Sequence, residues 1–260
     1  MNEAVLYTAN DGVATITLNR PETRNALSDA ILTGLMTALE QARDDATVRA
    51  VVLTGAGKGF CSGADLGMFG TTITPDTMHE YLVTRYEPLM ALMTGLPKPI
   101  VGAINGWAAG AGASLALACD LRLIADDGGM VQAFSNIGLI PDAGATWLLV
   151  RLVGYARAFE LAAEGERVSA ERCAELGLVN QVVPAATLLE AAQARAAKLA
   201  TRPTLAVGLL KQALYYALQH DLSSAIINEA DVQRQTIVSA DHREGVRAFL
   251  EKRTPQFRGE

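Results

Sequence analysis

The sequence predicts an α/β fold with a helical C-terminal module, and three observations carry that reading. Short apolar runs rich in Val and Ile alternate with segments of helical period from the N-terminus to about residue 183. Two of the strand-type runs, 50–54 and 100–104, lead straight into glycine-rich turns. Beyond Pro184 the strand signal stops and only helical spacing continues. Strands that alternate with helices fold as a sheet covered by helices. The change at the C-terminal end places a core domain at 1–195 and a helical module at 196–260.

Taken in order, 5–8 and 13–18 are strand-type runs around Asn10-Asp11-Gly12. That is a hairpin signal, because Asp and Gly tolerate the positive φ a two-residue loop needs. The polar turn 19–25 leads to Ser28-Asp29, an N-cap signal for a helix reaching about residue 44, with Ile31, Leu32, Leu35, Met36 and Leu39 at helical spacing. Residues 50–54 form a short apolar strand and 55–66, GAGKGFCSGADL, a glycine-rich turn. Residues 67–75 have no period and read as a mobile loop, and 76–94 read as one helix. Pro97 and Pro99 bracket the entry to a central buried strand at 100–104, which breaks at Asn105-Gly106 and passes through Gly and Ala into a helix at 113–118. Pro141-Asp142-Ala143-Gly144 opens another helix with a carboxylate at its start. Residues 155–163 and 170–175 read as helices, 178–183 as a strand, and 185–200, 203–219, 222–238 and 243–252 as the helical remainder.

Of the 260 residues, half are apolar and 19% are charged, which suits a sizeable core and excludes wholesale disorder. A net charge of −6 argues against a nucleic-acid footprint, which needs clustered Lys and Arg. Cys61, Cys119 and Cys173 are widely spaced, so neither a disulfide scaffold nor a zinc site is expected, and no metal is. The first residues lack a signal-peptide pattern, and no run of about 18 apolar residues occurs. A cytoplasmic protein that neither spans a membrane nor binds nucleic acid is expected.

Several nucleotide and hydrolase signals fall short. GAGKGF at 55–60 lacks the G-K-S/T of a phosphate-binding loop, and GAGASL at 110–115 has Leu115 where a dinucleotide fingerprint has its last glycine. GASLA around Ser114 has Ala116 in place of the final glycine of a nucleophile elbow, and His79, His220 and His242 read as solvated side chains. The two glycine-rich turns matter more as a pair. Each leaves backbone N–H groups unpaired at the start of a turn or helix, an anion-binding device. Two such donors converging on one oxygen stabilise an oxyanion, and each is worth about 3–4 kcal/mol; tight helix–sheet packing is the alternative account of the glycines. Asp142 likewise has two readings. It caps a helix, for about 1 kcal/mol, or it is a base whose pKa is raised by its apolar neighbours Leu139, Ile140, Ala143 and Trp147. Asp120 reads as structural and Asp65 as a cap of its own turn, while Arg20 and Arg24 flank a turn as phosphate contacts or as a solvated loop.

Ser62-Gly63-Ala64-Asp65-Leu66, Ala103-Ile104-Asn105-Gly106, the Gly/Ala run ending in Cys119-Asp120, and Gly138-Leu139-Ile140-Pro141 together resemble the crotonase (enoyl-CoA hydratase/isomerase) superfamily. Order and spacing agree from Asn19-Arg20-Pro21 to Glu244-Gly245-Val246. The resemblance implies a spiral of ββα units, a C-terminal helical module that forms a homotrimer or a dimer of trimers, and acyl-CoA thioester chemistry. It implies an oxyanion hole made by the N–H groups of Ala64 and Ala111, the latter usually Gly in relatives. Hydratases of the family carry two glutamates, and those positions hold Ser114 and Phe134 here. Asp142 stands where some relatives carry an acidic catalyst. The resemblance therefore implies an isomerase that shifts a double bond or opens a ring epoxide of a CoA thioester, with Asp142 as its acid/base. Ser62, Asp65, Leu66 and Arg24 are expected against the substrate, Phe134 and Trp147 as apolar wall, and 67–75 as a closing loop. No metal or separate cofactor is implied, since coenzyme A is part of the substrate. An enoyl-CoA hydratase and a noncatalytic acyl-CoA-binding subunit are the alternatives.

Overall fold

In a computed structural model that describes residues 3–65, 67 and 73–260, the chain begins with the expected hairpin. Leu66 and most of the expected loop 67–75 lie outside the described residues. Strands β1 (Val5–Asn10) and β2 (Val13–Leu18) pair antiparallel, Asn10 opposite Val13. Asp11 and Gly12 close the loop with φ of 49° and 80°, the two left-handed residues a tight hairpin turn requires. Helix α1 (Asp29–Asp44) is capped by Ser28, whose Oγ accepts from the Ile31 N–H at 3.4 Å. Its stripe Ile31, Leu32, Leu35 and Leu39 is fully buried.

A strand–strand–helix unit then repeats three times. β3 (Ala50–Gly55) and β4 (Gly59–Cys61) precede α2 (Pro75–Tyr81) and α3 (Glu87–Gly95). β5 (Ile100–Ile104) and β6 (Trp107–Ala109) precede α4 (Ala111–Leu117). β7 (Leu121–Ala125) and β8 (Gly129–Val131) precede α5 (Ala145–Val153) and α6 (Tyr155–Glu164). The first strand of each unit enters one sheet and the second enters another. The chain continues through β9 (Arg167–Ser169), α7 (Ala170–Glu175) and β10 (Gln181–Val183), completing a sheet ordered β1-β2-β3-β5-β7-β10 and a smaller one ordered β4-β6-β8-β9. This is a spiral of ββα units. From β2 onward the larger sheet is parallel, so both of its faces need cover.

The helical remainder is α8 (Leu188–Ala200), α9 (Thr204–Ala217), α10 (Leu222–Thr236) and α11 (Ala240–Glu251). The small side chains Ala192, Ala196 and Ala200 let α8 lie close against Val52, Val101 and Ala103 of the larger sheet. The boundary expected after residue 195 thus falls inside a helix that packs on the core, and α9 to α11 are the helices that follow it.

Two expected elements change in detail. The helix foreseen at 76–94 is interrupted by a π turn at Leu82–Tyr86, in which the Glu87 N–H reaches back to the Leu82 carbonyl. Pro88 has no N–H to donate and cannot continue an α-helical ladder, and a π turn absorbs the break. The helix foreseen from Pro141 instead starts at Ala145, because Ala143 and Gly144 both take left-handed φ, 47° and 76°. Two successive left-handed residues cannot belong to a right-handed helix.

Candidate active site

The glycines of the two turns are there because the turns touch. A Cβ on Gly112 would stand 2.4 Å from the Cys61 carbonyl oxygen, and one on Gly63 would stand 2.8 Å from that of Ala109 and 3.6 Å from the Ala111 nitrogen. Helix α4 is therefore pressed end-on against the turn that follows β4. Asn25 fixes that turn from beneath: its buried side-chain amide donates to the carbonyls of Ala56, Gly59 and Phe60 at 2.8–3.1 Å. Ala64 is held in register by Leu27, whose N–H donates to the Gly63 carbonyl while its own carbonyl accepts from the Asp65 N–H. Gly110, with φ of 51° and ψ of −127°, makes the sharp entry into α4, so Ala111 itself carries no positive φ. The Ala64 N–H lies outside that bridge, and the Ala111 N–H opens a helix; neither is taken by another described residue. Two free amides thus sit on adjoining turns, an arrangement able to hold one oxyanion.

Asp142 does not cap α5. The cap position belongs to Gly144, and it is the Asp142 backbone carbonyl, not its side chain, that accepts from the Ala145 N–H at 3.0 Å. The carboxylate is half-buried on the wall of a cavity of about 870 Å³, among Leu139, Ile140, Met90 and Trp147. Its Oδ1 is buried without a hydrogen-bond partner among the described residues. Loss of water around the charge pushes its pKa up to about 6, which suits a group that accepts a proton and returns it near neutral pH. Ser114 ties this carboxylate's backbone to the amide pair. From within α4 its buried Oγ donates to the Asp142 carbonyl at 3.1 Å and approaches that of Gly110 at 3.4 Å.

The remaining expected site residues separate by position. Trp147 lines the Asp142 cavity, stacks on Tyr215 with ring centroids 5.9 Å apart, and carries the Arg151 guanidinium 3.9 Å above its ring. Phe134, buried, packs its ring against Gly110, so it backs the amide pair and does not line the cavity. Ser62 donates its Oγ to the Thr23 carbonyl at 2.9 Å, and Asp65 pairs with the Arg20 guanidinium at 3.0 Å. Both side chains therefore tie the turn to 20–25. Arg24 is exposed on that same turn, where it takes a left-handed φ of 53°. Leu66 lies outside the described residues.

One participant in the cavity wall has no sequence signal of its own. Tyr86 is buried there, five residues from Tyr81. On a regular helix that spacing would set the two rings about 140° apart. The π turn brings them edge to face with centroids 5.6 Å apart. Pro88 is the only mark in the sequence that the helix must change pitch there.

Comparison with known proteins agrees with this architecture. The model of the family described as Enoyl-CoA hydratase/isomerase matches residues 8–260. Over the full length of both chains the sequence is 47% identical to the 1,2-epoxyphenylacetyl-CoA isomerase of Escherichia coli strain K12. It is 45% identical, over 98% of each chain, to a probable enoyl-CoA hydratase of Rhodobacter capsulatus. A crystal structure of an enoyl-CoA hydratase from Bacillus anthracis superposes with a TM-score of 0.93 at 38% identity, covering 99% of this chain and all of that one. A ββα spiral, a pair of free amides on touching glycine turns and full-length identity at this level lead to one conclusion: the chain is an enzyme of the enoyl-CoA hydratase/isomerase family.

Proposed function

We propose that the chain is an acyl-CoA isomerase with Asp142 as its single acid/base. The thioester carbonyl lies between the N–H groups of Ala64 and Ala111, which acidifies the α-carbon. Asp142 removes a proton there, the two amides hold the enolate oxygen, and the protonated carboxyl returns the proton to the γ-carbon, so that a 3,4 double bond becomes a 2,3 double bond. Electrons stay within the acyl group, so the step calls for no redox cofactor, and coenzyme A enters as part of the substrate. A ring epoxide opened through the same enolate is the second form of this chemistry, supported by the 47% identical isomerase.

The observation that carries the reading is the Asp142 carboxylate: on a cavity wall, relieved of any capping role, with an unpartnered Oδ1. Asp142→Asn should lower turnover of a trans-3-enoyl-CoA by roughly 10²–10⁴-fold while CoA-ester binding survives. Isomerisation is followed as the conjugated thioester appears, binding by calorimetry, and full activity in the variant sinks the mechanism.

A hydratase is the second reading, favoured by one observation: Glu87 is another carboxylate along the same cavity. Incubation with a trans-2-enoyl-CoA separates the two, since a hydratase accumulates the 3-hydroxyacyl thioester and the proposed isomerase does not. The reading also includes assembly as a homotrimer or dimer of trimers and a cytoplasmic location. Assembly is supported by apolar side chains left exposed on the last three helices, among them Leu210, Leu214, Ile226, Ile227 and Phe249.

A further inference from the structure

A second cavity, of about 460 Å³, is lined by α5 and α9 and shares the stacked Trp147 and Tyr215 with the cavity that holds Asp142. Much of its wall is aliphatic, including Leu117, Leu152, Val207 and Leu214. Against that wall stand three cations, Arg122, Arg151 and Lys211, and one carboxylate, Asp120. The carboxylate is taken: Lys211 Nζ donates to it at 2.9 Å. Arg151 is exposed and lies over the Trp147 ring.

Arg122 differs from both. It is 6% exposed and hydrogen-bonds to no carboxylate among the described residues. Its Nε donates to the Leu178 carbonyl at 2.7 Å, and its Nη1 donates to the carbonyls of Leu117, at 3.1 Å, and Cys119. Its Nη2 donates to no described residue, yet it is not among the fully buried unpartnered atoms, so it keeps accessible surface. Burial works against the charge and lowers the pKa of the group. A buried guanidinium held only by neutral carbonyls is costly, and a carboxylate is the partner its planar edge fits best. An aliphatic cavity of a few hundred Å³ with one such fixed donor has the make-up of a small-molecule site.

We propose that this cavity binds an aliphatic monocarboxylate, its head on the free edge of Arg122 and its tail along the leucines of α5 and α9. The site is separate from the one that holds Asp142, and the proposal does not depend on the isomerase reading. An acidic side chain inserted by a second copy of the chain is the competing occupant, since Leu210, Leu214 and Leu218 of the assembly surface also line the cavity.

The probes are octanoate and octan-1-ol, equal in tail and different in head. Calorimetry on the full chain should show octanoate bound about tenfold more tightly than the alcohol, as a charge-assisted hydrogen bond requires. Arg122→Met should bring that ratio to about one by weakening octanoate alone. Asp142→Asn should leave octanoate affinity unchanged, because the acid does not share a cavity with that carboxylate. No octanoate binding overturns the proposal and favours the second copy as occupant. Equal affinity for acid and alcohol, a preference kept in Arg122→Met, or a gain in octanoate affinity in Asp142→Asn, which would place the acid in the catalytic cavity, overturns it too. If Arg122→Met fails to fold, Leu152→Trp fills the cavity away from the charges, and octanoate binding retained in that variant again overturns the proposal.

Discussion

Asp142 suits the proposed chemistry because burial strips water from its carboxylate and, among the described residues, its Oδ1 has no hydrogen-bond partner. With the folded pKa at about 6, the ionised base is lost as pH falls through that value. The kcat/KM for isomerisation should decline roughly tenfold per pH unit below about 6. Stability runs the other way. A carboxyl whose pKa is raised on folding binds its proton more tightly in the folded than in the unfolded state. The contribution of Asp142 to stability is therefore greatest below the unfolded value of about 4 and is lost as pH rises through the folded value of about 6. Asp142→Asn removes that slope, so urea unfolding should find the variant more stable than the parent at pH 7.5, by at most about 3 kcal/mol, and the difference should shrink at pH 4. Ser114 holds the backbone of this aspartate in place, its hydroxyl donating to the Asp142 carbonyl.

Among elements, the two touching turns set the tightest steric demand. Gly112 faces the Cys61 carbonyl, side chain and sulfur so closely that a methyl group there must move the helix away from the turn. Gly112→Ala should separate the two amides as well as strain the core, costing about 1–3 kcal/mol in stability and about 10²–10³-fold in kcat. Chemical denaturation and steady-state kinetics read the two effects separately. A fall in stability without a fall in kcat would show that Ala64 and Ala111 do not act together. The π turn has a different cause, Pro88, and a different consequence, the placement of Tyr86 on the cavity wall.

At the scale of the whole molecule, the C-terminal helices are tied to the core but not covered by it. Lys211 of α9 donates to the Asp120 carboxylate at 2.9 Å and to the Met93 carbonyl at 2.8 Å. Asp120 also accepts from the Ile100 N–H at 2.7 Å, so one ion pair joins α9 to the entry of the central strand. On the outer side of α9, Leu210, Leu214 and Leu218 stay about half exposed. Light scattering coupled to gel filtration should give the mass of a trimer or hexamer, and Leu214→Glu should shift it to monomer. A monomeric parent would leave these side chains without the proposed role.

Much of the frame was legible in the chain itself. The Asn10-Asp11-Gly12 hairpin, the α1 stripe with its Ser28 cap, the buried strands β3 and β5 and the long C-terminal helices all follow from local periodicity and turn chemistry, which act over a few residues. The resemblance carried by the glycine turns and by Gly138-Leu139-Ile140-Pro141 gave the family. The strands of the second sheet, β4, β6, β8 and β9, went unread because three residues are too few to show an alternation. The late start of α5, the π turn and the cavity were decided only by folding. They depend on which surfaces meet, and with them came the difference between an aspartate that caps a helix and one half-buried at the edge of a pocket, its Oδ1 without a hydrogen-bond partner among the described residues.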